Sequence, residues 1–363
     1  MVTINDIAAE VGVSRGTVDR VLNHRGRTSA ATEKKIEEAA KRLGYQKGRA
    51  GAGLAARKKK LQFGFVYIDV KEASFHHIVY AAAKNKAEEL SQYGVTVHYF
   101  AIHGLDESEM IRFREFVLGH PEISGWAVPG EYAREIRNIQ SEQDRSTVPI
   151  ITYNLDSVKP EDRLCYVGCD YRKAGRMACG LTALMSGTDA RVLVISDDPG
   201  GVRSEKERLQ GFREEMLHYP NIEIVRELYT EEREGLDAPM LKKRVRETLS
   251  EYPDITTVYL INPGDYSICN VVSEAAGNTK RVVITNDLVT DEQVAMIRDG
   301  RITATIDQEP ELQGSRPLEI LFDYLAMDRK PLNDWEKRKL SIIIRQNLDE
   351  DFHPLGEKYH LVH

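Results

Sequence analysis

TINDIAAEVGVSRGTVDRVLN, residues 3–23, decides how the rest of this 363-residue chain is read. Ile4, Ile7 and Ala8 recur at helical spacing behind Thr3, which can cap a first turn, and Gly12 ends that helix. Ser14 caps a second helix with Val18, Val21 and Leu22 on one face at i, i+3 and i+4. A third helix is expected from about Ser29 to Leu43, with Ile36, Ala39, Ala40 and Leu43 on its apolar face and a stop at Gly44-Tyr45. Two short helices joined by a glycine turn and closed by a third make a helix-turn-helix.

Once Val18, Val21 and Leu22 are committed to a core, Arg15, Gly16, Asp19, Arg20 and Asn23 face outward. A helix start offers unpaired N–H groups, and the two arginines add forked donors that match the guanine edge in a major groove. Asp19, four residues from Arg15, is placed to orient that guanidinium or to accept from a cytosine amino group. The blander alternative is a small core helix with a solvated charged face. Charge distribution favours the first reading. Residues 1–60 hold 14 Lys and Arg against 6 Asp and Glu, a net of +8, while the whole chain is at −7. A basic head on an acidic body is expected when only the head meets a polyanion.

The segment GYQKGRAGAGLAARKKKL follows the head. Gly48, Gly51 and Gly53 make it a poor isolated helix, yet Ala50, Leu54, Ala55 and the basic run Arg57 to Lys60 would form one on an ordering surface. It is expected to fold only on DNA, coupling the body to the head; a plain flexible linker is the alternative.

After Lys60 the pattern becomes short apolar runs alternating with longer helical stretches. LQFGFVYI, VTVHYFA, GWAV, PIITY and CYVG form one set, and ARVLVIS, NIEIVREL, TTVYLI, RVVIT and ITATI a second. Such alternation argues βαβ units and two parallel, doubly wound sheets of about five strands each. Ligands bind beyond the carboxyl ends of such strands. The residues there are Asp69, then Phe75 and His76, Asn154, Asp170, Asn262, Asp287 and Gln308, with Arg208 in the helix after the sixth strand. Each alone reads as a turn or cap residue. Together, at matching ends of two lobes, they suggest a cleft of carboxylates, amides, an arginine and a ring, suited to a polyhydroxylated ligand.

The arrangement TINDIAAEVGVSRGTVDRVLN, a third helix ending in LGY and a hinge with a leucine resembles the LacI/GalR family of bacterial repressors. The resemblance implies a homodimer whose recognition helices enter major grooves of a palindromic operator and whose hinge helices enter the minor groove, with Leu54 as the wedge. Arg15, Gly16 and Arg20 fall at its base-reading positions; Thr3, Ser14, Thr17, Asn23 and Arg49 complete the expected DNA contacts. The body resembles a periplasmic sugar-binding protein. SFHHIVYAAAKNKAEEL carries the cleft aromatic onto Phe75 and its neighbour onto His76, VGCDYRKAGRMA supplies Asp170, RLQGF Arg208, ITND Asp287 and TIDQEPELQG Gln308, while Asn262 is a looser match. A histidine at position 76 is expected to bring a possible charge near neutral pH.

The expected organisation is a small all-α helix-turn-helix domain at 1–46, a hinge at 47–60, and a two-lobed α/β periplasmic-binding-protein-like domain at 61–363. Lobe one takes about 61–168 and 309–333, and lobe two about 169–306 and 335–363. Hydrophobic content of 41% with 29% charged residues is that of a globular protein, and no apolar run reaches the length of a membrane span. No basic, apolar leader opens the sequence, so a cytoplasmic address is expected. Cys165, Cys169, Cys179 and Cys269 lack C-x-x-C pairing and histidines at zinc spacing, so free thiols are expected and neither metal nor cofactor. No nucleotide-binding or hydrolase motif is present, so an enzyme is not expected. The partners are then operator DNA and a small polar effector, a sugar or sugar alcohol first. A solute receptor acting without DNA, or a sensor of a purine or sugar phosphate, is the alternative.

The outward face makes one prediction. Arg20→Ala should cost about 1–3 kcal/mol on a preferred DNA site and relax base preference, whereas Lys58→Ala should weaken all DNA alike. Titrations on preferred and scrambled duplexes would separate these, and full preference retained by the Arg20 variant would contradict the helix orientation.

Overall fold

In the computed structural model, residues 4–22, 28–43, 49–69, 74–104, 106–144, 147–187, 189–196, 203–229, 238–261, 266–275 and 280–354 are described. Thr3, Asn23, Asn262, the Gly44-Tyr45 stop and the Arg49 side chain lie outside them. Helices α1 (Ile4–Val11), α2 (Arg15–Leu22) and α3 (Ala30–Arg42) bury Ile7, Val18, Val21, Ile36 and Ala39 against one another, as the spacing predicts. Gly12 turns the chain at φ +71°, where a side chain would be strained. The Ser14 hydroxyl then accepts from the Thr17 N–H at 3.1 Å, capping α2.

The hinge departs from expectation. α4 (Arg49–Lys59) is a helix seated on the body. Ala52 and Ala56, one turn apart, are buried in one core with Leu61, Tyr93 and Phe322. A Cβ added at Gly53 would come within 2.9 Å of the Tyr93 ring. The small side chains that weaken this helix in isolation therefore let it lie close against aromatic rings. Lys59 Nζ donates to the Leu325 carbonyl at 2.7 Å, and Arg57 to that of Gln92 at 2.8 Å. Leu54 faces away and is 73% exposed.

The body holds two sheets of six strands. β1 (Gln62–Ile68), α5 (Ser74–Ser91), β2 (Thr96–Ile102), α6 (Glu107–Gly119), β3 (Gly125–Pro129), α7 (Gly130–Glu142), β4 (Ile150–Tyr153) and β5 (Cys165–Gly168) build the first. The chain then crosses into α8 (Tyr171–Ser186), β6 (Arg191–Ser196), α9 (Arg203–Met216), β7 (Glu223–Tyr229) and α10 (Ala238–Glu251). β8 (Thr257–Leu260), α11 (Ile268–Glu274), β9 (Val282–Asn286), α12 (Asp291–Asp299) and β10 (Ala304–Asp307) complete the second lobe's βα units. Helix α13 (Pro310–Met327) crosses back, and β11 (Trp335–Lys337) and β12 (Ser341–Ile343) close the two sheets. The orders are β11-β5-β4-β3-β1-β2 and β12-β10-β9-β8-β6-β7, parallel except for β12. Helices cover both faces, so strands such as β9 are buried throughout and read as unbroken apolar runs.

Two expectations need correction. Each sheet has six strands because β11 and β12, three residues apiece, are too short to show a period of two. Residues 335–337 pair with β5 in the first sheet, not in the second lobe, so the last crossover follows Lys337. Trp335 anchors them: its Nε1 donates to the Gly168 carbonyl at 3.0 Å, and its ring leans on Tyr166. The four cysteines are free and buried. Among the described residues no helix is long and apolar enough to cross a membrane.

Seating of α4 is testable. Ala56→Asp places a charge in an apolar seat, and a docking loss of about 1.4 kcal/mol would raise the open population about tenfold. Trypsin should then cut at Arg57–Lys60 faster while the body melts as before. Unchanged cleavage would show that α4 is not held by this contact.

Candidate functional site

On the head, Ser14, Arg15, Gly16 and Arg20 are exposed and Thr17 is half-buried. Arg20 Nε donates to the Gly16 carbonyl at 3.1 Å, which folds the guanidinium along the start of α2. The outward face expected of this helix is therefore present as a surface of donors.

In the body, the carboxyl ends of the strands bring groups from both lobes together. Asn154 follows β4 and Asp287 follows β9, and both adopt left-handed backbone, φ +58° and +61°. That conformation is uncommon for a side-chain-bearing residue, although Asn and Asp accept it most readily. Tyr166 and Tyr171 both donate to the Asn154 carbonyl, at 2.6 and 2.7 Å, and Asn154 Nδ2 donates to the Tyr171 hydroxyl at 3.1 Å. The Tyr171 ring lies 5.1 Å from the Arg208 guanidinium, a cation–π contact.

Arg208 is 4% exposed. It reaches Asp287 Oδ2 at 3.4 Å and the Ile261 carbonyl at 3.5 Å. Both distances are long for charged donors. Its Nε has no partner among the described residues. Burial is the largest influence and pushes the guanidinium down, but Asp287, Cys169, Tyr259 and Tyr171 together outweigh it and leave Arg208 raised above its ordinary value. Burial likewise pushes Asp287 up, with Arg208 and Gln308 pulling it back. Gln308 Nε2 donates to Asp287 Oδ1 at 2.8 Å. Its Oε1 accepts from Cys169 Sγ at 3.1 Å and from Gln313 Nε2 at 3.2 Å. Asn154 and Cys169, at strand ends of the first lobe, are thereby joined to Arg208, Asp287 and Gln308 of the second.

Helix packing sets where Arg208 sits. A Cβ at Gly175 would overlap the Arg208 carbonyl, and one at Gly211 the Arg172 carbonyl. This reciprocal pair of glycines lets α8 and α9 touch backbone to backbone, which aligns Tyr171 on one helix with Arg208 on the other.

The other expected residues are placed differently. Asp170 spends a carboxylate oxygen capping α8, accepting from the Lys173 N–H at 2.9 Å. Asp69 stands 3.8 Å from His77 and 3.9 Å from His103. Phe75 meets His76 edge to face at 5.4 Å. No hydrogen bond or ion pair among the described residues ties Asp69, Phe75 or His76 to the Arg208 network. Burial, with His77 second, pushes His76 down to about 4, so the expected charge near neutral pH gives way to a neutral ring. Its Nδ1 is enclosed without a partner among the described residues. Tyr166, Tyr171, Cys169 and Gln313 were not anticipated. Tyr171 lies inside the DYRKAG stretch already singled out, but an internal aromatic there reads as core.

Two family descriptions match. "Periplasmic binding protein domain" covers residues 140–329, more than half of the chain, and "Bacterial regulatory proteins, lacI family" covers residues 3–47. Catabolite control protein A of Streptococcus mutans is 28% identical over 217 residues, 59% of this chain and 60% of that protein. The chain thus aligns with about three fifths of the length of this curated relative. The glucose-galactose binding protein GanP of Geobacillus stearothermophilus shares the body fold, with a TM-score of 0.64, 21% identity, and coverage of 79% of this chain and 98% of that one. A solute binding protein of Agrobacterium vitis bound with α-D-tagatopyranose has a TM-score of 0.65 at 16% identity, covering 80% and 97%.

Asp307 supplies a pH signature for the site. Burial first, and Asp287 second, push its carboxyl from 3.8 up to about 7. Its contribution to stability is therefore complete below about 3.8 and is lost as pH rises through about 7. Asp307→Asn should gain on the wild type steadily from pH 4 to pH 7 in denaturant titrations. A constant difference between the two proteins would contradict the burial.

Proposed function

We propose a function from one premise: the chain belongs to the periplasmic binding protein domain family and carries, ahead of that domain, a head of the lacI family of bacterial regulatory proteins. It is a ligand-responsive transcription regulator, a repressor that binds DNA through α2 and a small polyhydroxylated effector between its lobes. The observation that carries this reading is the coexistence in one chain of an exposed donor face on α2 and a buried network joining strand ends of two lobes. Neither half alone would need the other.

Sugar chemistry fits the site better than phosphate. Among the described residues Arg208 is the cation hydrogen-bonded into the network, and it already faces Asp287, so the pair is close to neutral. A neutral pair beside amides and tyrosine hydroxyls suits hydroxyls that both donate and accept. The long hydrogen bonds of the guanidinium, and an Nε without a partner among the described residues, leave donors for such a ligand. The named relatives and structural neighbours include sugar-binding proteins, which supports the same class.

One helix provides a route from ligand to DNA. α13 begins beside Gln308, and its Gln313 donates into the network. Twelve residues on, about 18 Å along the axis, Leu325 accepts from Lys59 of α4, while Phe322 packs on Tyr93 beneath it. A ligand that favours one arrangement of the network shifts α13 and, with it, the seat of the hinge. It acts by its differential affinity for the two states. Two chains present two heads to a palindromic operator.

DNA selected from a random pool by the full chain should converge on an inverted repeat. A sugar that saturates the body at one hundred times its Kd should raise stability by about 2.7 kcal/mol and shift affinity for that DNA. A sugar response without any selected DNA would instead favour a solute receptor, and a response to sugar phosphates or purines alone would overturn the ligand class.

A further inference from the structure

A second constellation lies on the first lobe, at the end of its sheet where α4 hands over to β1. His98 is on the edge strand β2, and His120 and Glu122 are in the loop between α6 and β3. One ring nitrogen from each histidine and a Glu122 carboxylate oxygen all lie within 4.8 Å of one another. The rings stand edge to face with centroids 5.0 Å apart.

What separates this cluster from a chance meeting is how each ring is held. His120 Nδ1 donates to the Phe116 carbonyl at 2.8 Å, and the ring rests against Phe116 at 4.2 Å. A carbonyl can only accept, so the proton is on Nδ1 and Nε2 keeps its lone pair. His98 Nε2 pairs with Gln62 Oε1 at 2.7 Å, which likewise puts the proton on Nε2 and frees Nδ1. Two imidazoles, each hydrogen-bonded to an oxygen acceptor, beside an exposed carboxylate, are the donor set and outer shell of a divalent transition-metal site. Ligands at about 2.1 Å from one ion must lie within about 4.2 Å of each other. The exposed Glu122 has the freedom to close that gap.

We propose that His98, His120 and Glu122 bind one divalent transition-metal ion of the zinc class, with Gln62 as the residue that orients His98. The spacing of 22 residues and then two matches none of the compact zinc patterns, which is why the sequence alone argued against a metal. The site has a mechanical consequence. Gln62 is the first residue of β1, two positions beyond the basic run that ends α4, and its carbonyl accepts from the Ser124 N–H at 2.7 Å. An ion joining β2 to the 120–122 loop, with Gln62 as its support, stiffens the point where the hinge enters the body. The inference is independent of the ligand proposed for the interlobe network.

The test uses the full chain, treated with chelator, and zinc chloride followed by calorimetric titration at pH 7.5. One equivalent is expected to bind at this site. Glu122→Gln, an exposed change that leaves folding intact, should lower affinity at least tenfold, and His98→Gln/His120→Gln should remove that equivalent. Gln62→Ala should cost 10- to 100-fold, the range seen when a ligand's supporting partner is lost. Melting of each variant without metal reports its fold separately. Absence of zinc binding by the wild type would overturn the proposal. So would wild-type affinity and stoichiometry in both the Glu122→Gln and double-histidine variants.

Discussion

The buried pair of Arg208 and Asp287 is the constraint on which the rest of the body depends. A guanidinium taken out of water is costly unless a carboxylate and acceptors meet it, and removing one partner of such a pair typically costs about 3–5 kcal/mol. The fold supplies those partners from two lobes. Asp287 and Ile261 come from strand ends of the second, and Tyr171 stands at the start of the helix entered from the first. The Gly175–Gly211 contact fixes the approach of α9 on which Arg208 is carried. Yet the hydrogen bonds donated by Arg208 are long, and one of its nitrogens has no partner among the described residues.

One helix links the network to the seat of α4. Gln308 and Gln313 tie the start of α13 to Asp287, while the far end of the same helix seats α4. The small residues Ala52, Gly53 and Ala56 have a double effect. They deny α4 independent stability, and they let it settle closely on Tyr93 and Phe322. The hinge state is thereby set by its contact with the body. Leu54, on the opposite face, stays exposed for another surface.

Much of this was legible in the sequence. The head's core and cap, the two alternating sets of strands, and Asn154, Arg208, Asp287 and Gln308 follow from periodicity and from strand ends. Other features were hidden for physical reasons. β11 and β12 are too short for a pattern, and the indole hydrogen bond by which Trp335 reinforces the pairing of β11 with β5 has no sequence signature. Tyr171 looks like core until Arg208 stacks on it. Asp170 carries a polar signal that a helix cap absorbs locally. His76 carries a titratable ring that burial keeps neutral. The seat of α4 was hidden because helix propensity says nothing about a surface supplied from 266 residues away, as between Lys59 and Leu325.

The central claim is that occupancy of the interlobe network alters the seat of α4. Hydrogen exchange at residues 52–59, measured on the full chain with and without a saturating sugar that raises its melting temperature, tests this most directly. Exchange there should change by an order of magnitude or more, a free-energy shift of about 1.4 kcal/mol, along with exchange at Gln308–Gln313. Identical exchange in α4 with the network fully occupied would contradict the claim.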